Sequence, residues 1–359
     1  MKILHIDEQQ TWRGGEQQAC WLMEGLCSHG VEIYAVGREN SEFISRLKTI
    51  SHIRTFTLPL HSEFDLYSAW NIANIARKNK IDIIHAHTSH AHSLAILSTF
   101  FYTKPKIVVS RRVSFPPAKN IFSQWKYNHI DLIIPVSYFV AKILKENGIA
   151  ENKIKVVRSS IDLSHIDVPP YKKRELGVDD NVKILLNAGA LVPHKDHFTL
   201  LNAFAEVKKV FNNIVLLIAG SGLLQKDIQS EIDKLHLSPH VRLLGYRNDV
   251  PRLIRTSDMY ISSSWSEGLG TSILEALASE KPVVATEAGG VSEMVINHET
   301  GLLVPNKNPQ LLAEAIIYML SHSEEATNMA KKGRKHVEDN FTVTRMVNET
   351  LSVYQKLIQ

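Results

Sequence analysis

Residues 183–219 read KILLNAGALVPHKDHFTLLNAFAEVKKVFNNIVLLIA. Two aliphatic runs, 183–189 and 214–219, flank a segment whose apolar residues recur at helical spacing from 200 to 210. Strand, loop, helix, strand is the repeating unit of a parallel sheet, because a parallel neighbour needs a crossover long enough to hold a helix. The rhythm continues outward, with strands predicted at 241–244, 259–262, 282–285 and 302–304 and helices at 223–235, 271–278, 310–321 and 346–357. Towards the N-terminus it repeats, with strands predicted at 2–6, 31–36, 53–58, 81–85, 106–110, 132–136 and 154–157. The helix at 16–29 is the clearest there, with Ala19, Leu22, Met23 and Leu26 on one face and Gly30 as its stop. The fold class is therefore α/β, with two doubly wound domains facing a cleft, at 1–163 and 181–340. Between them, 164–180 holds Pro169-Pro170, the cluster Lys172-Lys173-Arg174 and Gly177, and reads as a linker.

The chain length of 359 residues agrees with two domains at about 150 residues each. With 44% hydrophobic and 22% charged residues, disorder, collagen and coiled coil are excluded. No apolar run approaches the roughly 20 residues that cross a bilayer, and the start of the chain has no leader pattern. Cys20 and Cys27, seven apart on one helix, lie too far apart for a disulfide. Together these place the chain in the cytoplasm. Up to residue 165 there are 20 Lys and Arg against 14 Asp and Glu, and beyond it 21 against 23, so the first half carries the positive charge. A basic first half suits an anionic acceptor or contact with the inner face of a membrane, where Ile121, Phe122, Trp125 and Tyr127 form an aromatic cluster. Nucleic acid is disfavoured, since no dense Lys/Arg block with interleaved aromatics occurs.

Chemistry concentrates in the loops that follow strands. Ser262 to Ala278, S-S-S-W-S-E-G-L-G-T-S-I-L-E-A-L-A, puts Glu267 in a strand-to-helix loop and Glu275 two turns into the next helix among apolar neighbours. A carboxylate on so apolar a surface needs hydroxyls or amides to satisfy it. Gly268, Gly270 and the opening helix turn offer bare N–H groups to a phosphate. Beyond the strand at 183–189, His194, Lys195 and His197 follow Gly189, and Lys195 is a point charge suited to a diphosphate. Further glycine turns sit at 219–222 and 287–290. In the first half, Gly14-Gly15 precedes a helix, and His85 to His92, H-A-H-T-S-H-A-H, reads as polar lining of the cleft rather than a metal site. No G-x-G-x-x-G, G-x-S-x-G or D-x-D string occurs, which removes support for a nicotinamide enzyme, a serine hydrolase and a metal-clamped diphosphate respectively.

These residues resemble the retaining glycosyltransferases of family 4. E-G-L-G-T-S-I-L-E-A, with Glu267 and Glu275, is similar to the family's E-x7-E motif, and the strings Lys281 to Val295 and His298 to Pro305 are similar to its next landmarks. The resemblance implies the GT-B fold, two Rossmann-like domains with the C-terminal helix, 341–359, packing back on the first. It implies sugar transfer from a nucleotide-diphosphate sugar, UDP or GDP, with retained anomeric configuration and no cofactor or metal. The acceptor would be a glycan or lipid-linked molecule of cell-envelope polysaccharide synthesis. Glu275 would hold the ribose, and Glu267 the donor sugar. Gly189, Gly220 and the Gly268, Leu269, Gly270 and Thr271 amides would cradle the diphosphate and sugar, with Lys195 on the leaving phosphate. Gly15 would let the first domain's loop close over the diphosphate, and Gln17 and His87 would lie on the acceptor side. The chain departs from the family pattern at Gly189-Ala190-Leu191, where G-R-L is usual, at Arg111-Arg112, where a histidine is usual, and at Ser159-Ser160-Ile161-Asp162, where N-G-V-D is usual. Arg112 or Arg111 would supply the guanidinium that Ala190 lacks. The rival readings are a non-catalytic sugar-nucleotide-binding subunit of a heteromeric transferase and a nucleotide-sugar epimerase on the same scaffold.

Overall fold

In the computed structural model, which describes residues 1–359, the chain divides into two units, residues 1–160 with 343–359 and residues 161–342. The first is built on six parallel strands: β1 (Lys2–Ile6), β2 (Glu32–Gly37), β3 (Ile53–Thr57), β4 (Ile83–Ala86), β5 (Lys106–Arg111) and β6 (Leu132–Pro135). Their order is 3-2-1-4-5-6, with Ile3 in register with Ile33 on one side and Ile83 on the other. The helices between them are α1 (Gly14–Ser28), α2 (Glu42–Leu47), α3 (Leu66–Asn79), α4 (Ser89–Ser98), α5 (Ile121–Asn128) and α6 (Tyr138–Glu146). Several begin where a short polar side chain accepts an otherwise orphaned helix N–H: Asp65 from Ser68, Thr88 from Ala91, Asn120 from Ser123 and Ser137 from Val140.

The second unit repeats the plan. Its strands are β7 (Lys183–Ala188), β8 (Ile214–Ala219), β9 (Val241–Leu243), β10 (Met259–Ser262), β11 (Val283–Thr286) and β12 (Leu302–Val304), in the order 12-11-10-7-8-9. The helices are α7 (His197–Val210), α8 (Gln225–Lys234), α9 (Val250–Thr256), α10 (Thr271–Ala278), α11 (Pro309–Ser321) and α12 (Ser323–Asn340). Leu200, Leu201, Phe204 and Val207 of α7 share one core with Leu312, Ile316 and Met319 of α11. In both sheets the order reverses beside the first strand, between β1 and β4 and between β7 and β10. In doubly wound sheets ligands bind beyond the carboxyl ends of the strands at such a reversal.

The last helix, α13 (Val343–Ile358), belongs to the first unit. Met346, Val347 and Tyr354 are buried in that unit's core, and a Cβ on Gly25 of α1 would lie 2.3 Å from Val347 Cγ2. The two helices therefore approach at glycine distance.

The fold differs from the sequence reading in five places, the first being α9, where no helix was expected. Residues 154–157 form no strand, since Ile154 makes a single bridge to Ile133. α12 has no counterpart in the reading, because its buried face is built of Ala326, Met329, Ala330, Gly333 and Val337, residues too small to give a strong periodic signal. Gly14 and Gly15 are the first two residues of α1 rather than a turn ahead of it. Residues 164–180, read as a linker, group with the second unit. There Tyr171 N–H donates to Thr256 Oγ1 at 2.8 Å, and Lys173 pairs with Asp258 at 3.0 Å.

Candidate functional site

At the reversal of the second sheet, the loops after β7 and β10 bring Lys195 and Glu267 together. The Lys195 ammonium lies 2.5 Å from Glu267 Oε1, which also accepts from Ser264 Oγ at 2.7 Å. Burial works to raise the Glu267 carboxyl, but the adjacent Lys195 and the Ser264 hydroxyl outweigh it and hold the group below its ordinary range. The two loops are laced to each other. Ser263 Oγ donates to Lys195 O at 2.9 Å, Trp265 N–H to His194 O at 2.9 Å, and Trp265 Nε1 to Pro193 O at 3.0 Å. Thr286 at the end of β11 donates to Ser264 O, and Gly290 N–H donates to Glu267 O at 3.1 Å. Glu267 is thus fixed from both sides before any ligand arrives.

The glycines here answer to space. A Cβ on Gly220, whose φ is +151°, would fall 1.8 Å from Gly189 O, and one on Gly189 would meet Lys195 Cε at 3.3 Å. The lysine stem therefore lies across Gly189. The next segment runs Gly268, Leu269, Gly270 and into α10, whose cap Gly270 offers no side chain. All four residues from Glu267 to Gly270 are buried, and no acceptor in the chain takes a hydrogen bond from the amide N–H of Gly268, Leu269, Gly270 or Thr271. Four unspent donors at the positive end of a helix, beside an ammonium, form an anion cradle. Glu275 stands one helical turn into α10 rather than two. It is half-buried, and burial alone pushes its carboxyl up to about 7. Behind the site, burial pushes the His197 ring down to about 4, with Lys195 adding to the effect.

The reversal of the first sheet collects other chemistry. His5 of β1 and His85 of β4 are in register neighbours, and His87 follows β4. His5 Nδ1 and His87 Nε2 are 2.8 Å apart with rings stacked at 5.1 Å, while His85 meets Ser110 Oγ at 2.8 Å and Tyr354 OH of α13 at 2.5 Å. All three rings are buried, so desolvation pushes His5 down to about 3 and the other two well below their ordinary value. The polar lining expected of 85–92 is corrected here: His85, His87 and His92 are buried and only His90 is partly open. A candidate donor set of ring nitrogens within 4.8 Å does form, which the sequence reading missed because His5 lies 82 residues from His87. It is a weak cation site, with no carboxylate among its members and the Arg112 guanidinium acting on His85 and His87.

Arg112, after β5, lies against Gly15, whose added Cβ would touch Arg112 Cδ at 3.4 Å. Burial pushes its guanidinium down to about 10, opposed by the charges of Asp7 and Glu16. Burial, with Glu16 next in weight, raises the Asp7 carboxyl well above its usual range. Gln17 accepts from Trp12 Nε1 at 3.3 Å. The structure thus groups Gly15 and Arg112 in one unit, and Lys195, Gly189, Gly220 and Glu267 through Thr271 in the other. Asp7, Glu8, Glu16, Arg38 and Tyr354 were not singled out from sequence. The string D-E-Q-Q carried the signal for the first two, two acids directly after a strand.

Comparison with known proteins agrees with this architecture. The family described as Glycosyltransferase Family 4 matches residues 12–165, and Glycosyl transferases group 1 matches 170–336. The chain is a glycosyltransferase of the GT-B, family 4/1 type. This glycosyltransferase is 25% identical to a solved glycosyltransferase of Rickettsia africae ESF-5, at a TM-score of 0.87 over 100% of this chain and 98% of that one. It is 29% identical to the putative glycosyltransferase YtcC of Bacillus subtilis (strain 168) over 315 residues, 80% of this chain and 75% of that protein. An Escherichia coli relative, UDP-Gal:alpha-D-GlcNAc-diphosphoundecaprenol alpha-1,3-galactosyltransferase, is 23% identical, spanning 100% of this chain and 97% of its own.

Proposed function

We propose that this glycosyltransferase moves a sugar from a UDP- or GDP-sugar to a glycan or lipid-linked acceptor in cell-envelope polysaccharide synthesis, keeping the anomeric configuration. The observation that carries the reading is the cradle of four unspent amides, Gly268 to Thr271, beside the Lys195–Glu267 pair. The glycosidic C–O bond breaks and its electron pair leaves on the diphosphate, whose growing charge meets Lys195 and those amides. The acceptor oxygen forms the new C–O bond on the same face and gives its proton to the departing phosphate oxygen. Glu267 orients the donor sugar through its hydroxyls, and Glu275 takes the ribose. Gly189 and Gly220 keep the floor low enough for the diphosphate, Arg112 is assigned as its second cation, and Gly15 and Gln17 serve closure and the acceptor, while His87, buried in the histidine stack, is withdrawn from the acceptor side. With these cations in the chain itself, the reaction is assigned neither metal nor cofactor.

Membrane contact belongs to the same proposal. Phe64 (62% exposed), Trp70 (49%), Phe100 (67%) and Ile121 (87%) stand on the first unit's surface, and Phe64 packs on Phe122 at 4.7 Å. No helix is long and apolar enough to cross a membrane. Tyr127, read from sequence as a docking residue, is buried with its hydroxyl on Arg111 at 3.0 Å, so it holds the α5 cluster from beneath.

Thermal unfolding with UDP, GDP and ADP and their sugar conjugates tests the donor assignment. A ligand that binds only the native state raises the melting point. UDP or GDP should do so, and Lys195→Ala should abolish the shift. No shift with any nucleotide would overturn the reading.

A further inference from the structure

Outside the donor site, one cavity of about 320 Å³ opens in the first unit, walled by Glu8, Gln9, Gln10, Thr11, Arg13, Arg38 and His90. It lies where ligands collect in such sheets: the loop after β1, the residue after β2 and the first turn of α4. Every wall residue is polar. An alkyl chain would leave each of them unsatisfied, so the occupant is itself polar.

The wall holds two unmet demands. Arg38 spends Nη2 on Leu60 O at 2.7 Å, but its Nε is buried without a partner. His90 has Nδ1 4.0 Å from Glu8 Oε1, while its Nε2 is likewise buried without a partner. Buried polar atoms normally find a partner. Arg13 adds a second, exposed guanidinium with no ion pair of its own. Glu8 is the one carboxylate in the wall, already engaged by the Thr88 hydroxyl and by Gln9 Nε2 at 2.7 Å, while outside the wall the Glu16 carboxylate accepts the Arg13 backbone N–H at 2.8 Å. Two planar forks against one occupied carboxylate select an oxyanion, since the fork matches carboxylate and phosphate geometry. The remaining groups, Gln9, Gln10, Thr11 and Glu8, are donors and acceptors of the kind that read hydroxyls.

We propose that this pocket is the acceptor site and that it takes a hydroxylated, sugar-sized acceptor bearing one carboxylate or phosphate, held by Arg38, Arg13 and His90. The inference rests on the transferase reading for the word acceptor, and on the pocket alone for the ligand class.

Isothermal titration of the full chain with D-glucuronate, D-glucose 6-phosphate, D-glucose and inorganic phosphate tests it. Either glucuronate or glucose 6-phosphate should bind at least tenfold more tightly than glucose, and the better of the two identifies carboxylate or phosphate as the anion. Arg13→Gln and Arg38→Gln should each weaken that binding tenfold or more. Arg13 is exposed, so its variant keeps the test alive should Arg38→Gln not fold. Glucose binding as tightly as both anionic sugars, inorganic phosphate matching glucose 6-phosphate, or binding indifferent to both arginines would overturn the proposal. Titration with UDP and GDP in parallel separates the two readings. Nucleotide binding without anion-dependent sugar binding sinks only the pocket. Anion-dependent sugar binding without nucleotide binding sinks only the transferase reading.

Discussion

Beyond β7 and β10 an ammonium and a carboxylate face each other at 2.5 Å, with the Ser264 hydroxyl donating to the same carboxylate oxygen; beyond β1 and β4 lie three buried neutral histidines and buried acids, with His5 Nε2, His87 Nδ1, Asp7 Oδ2 and Arg112 Nε all lacking partners. The strand order is the same, 3-2-1-4-5-6 in one unit and its equivalent in the other. A shared topology therefore fixes where a site forms and leaves its electrostatics to a few loop residues. The second unit holds its charges compensated and its amides unspent, ready for an anion. The first holds its charges by burial, at a cost in stability that ligand contacts can offset.

Four experiments break or sharpen that contrast. The largest effect falls on the scaffold of the second site. Gly220→Ala would place a Cβ 1.8 Å from a backbone oxygen at a φ open only to glycine, and should lower stability by about 4 kcal/mol in urea unfolding. A loss below 1 kcal/mol would mean the Gly189 loop is not rigid. Next, Lys195→Ala removes the cation on which the compensated site depends. Steady-state transfer should fall roughly a hundred- to thousand-fold, about 2.7–4 kcal/mol of transition-state stabilisation. Activity near wild type would show that the pair is structural only.

The histidines come third. With His5 pushed down to about 3 from 6.5, the unfolded chain takes up protons that the folded chain refuses. Stability is therefore full above pH 6.5 and is lost as pH falls, by about 2 kcal/mol per such histidine at pH 5. His5→Gln should flatten that loss, and an unchanged slope would refute the neutral stack. The smallest effect has the opposite sign. Glu275, raised to about 7 from 4.5, favours the folded state's proton, so its burial penalty is absent below pH 4.5 and complete above pH 7. Being half-buried, it should cost about 1 kcal/mol at pH 8, a penalty that Glu275→Gln removes. A variant less stable than wild type at pH 8 would show that the carboxylate is satisfied in the fold.

Much of this was legible in the chain. Period and punctuation located all twelve strands and most of the long helices, because a strand buried on both faces must be apolar throughout and a covering helix must be apolar on one stripe. Glu267, Lys195 and the glycines between Gly268 and Gly270 were readable because each lies directly after a strand, where one-dimensional order already implies position. The Lys195–Glu267 contact, 72 residues apart, was not readable as a contact. Nor was the bond from Tyr354 to His85 across 269 residues, or α12, whose small buried side chains blur its period.

Sequence alone determined that two parallel sheets would form, which loops would stand at their carboxyl ends and that those loops would carry glycine, lysine and acid. These are local matters, set by side-chain shape, backbone freedom and the spacing of apolar residues. Tertiary structure alone decided which charges meet and which are stranded. It joined Lys195 to Glu267, buried His85 and His87 that were expected to line a cleft, and left Arg38 Nε and His90 Nε2 each without a partner. The reason is physical: the charge state and reach of a polar group depend on the dielectric and the partners around it, and those are assembled only when distant segments pack.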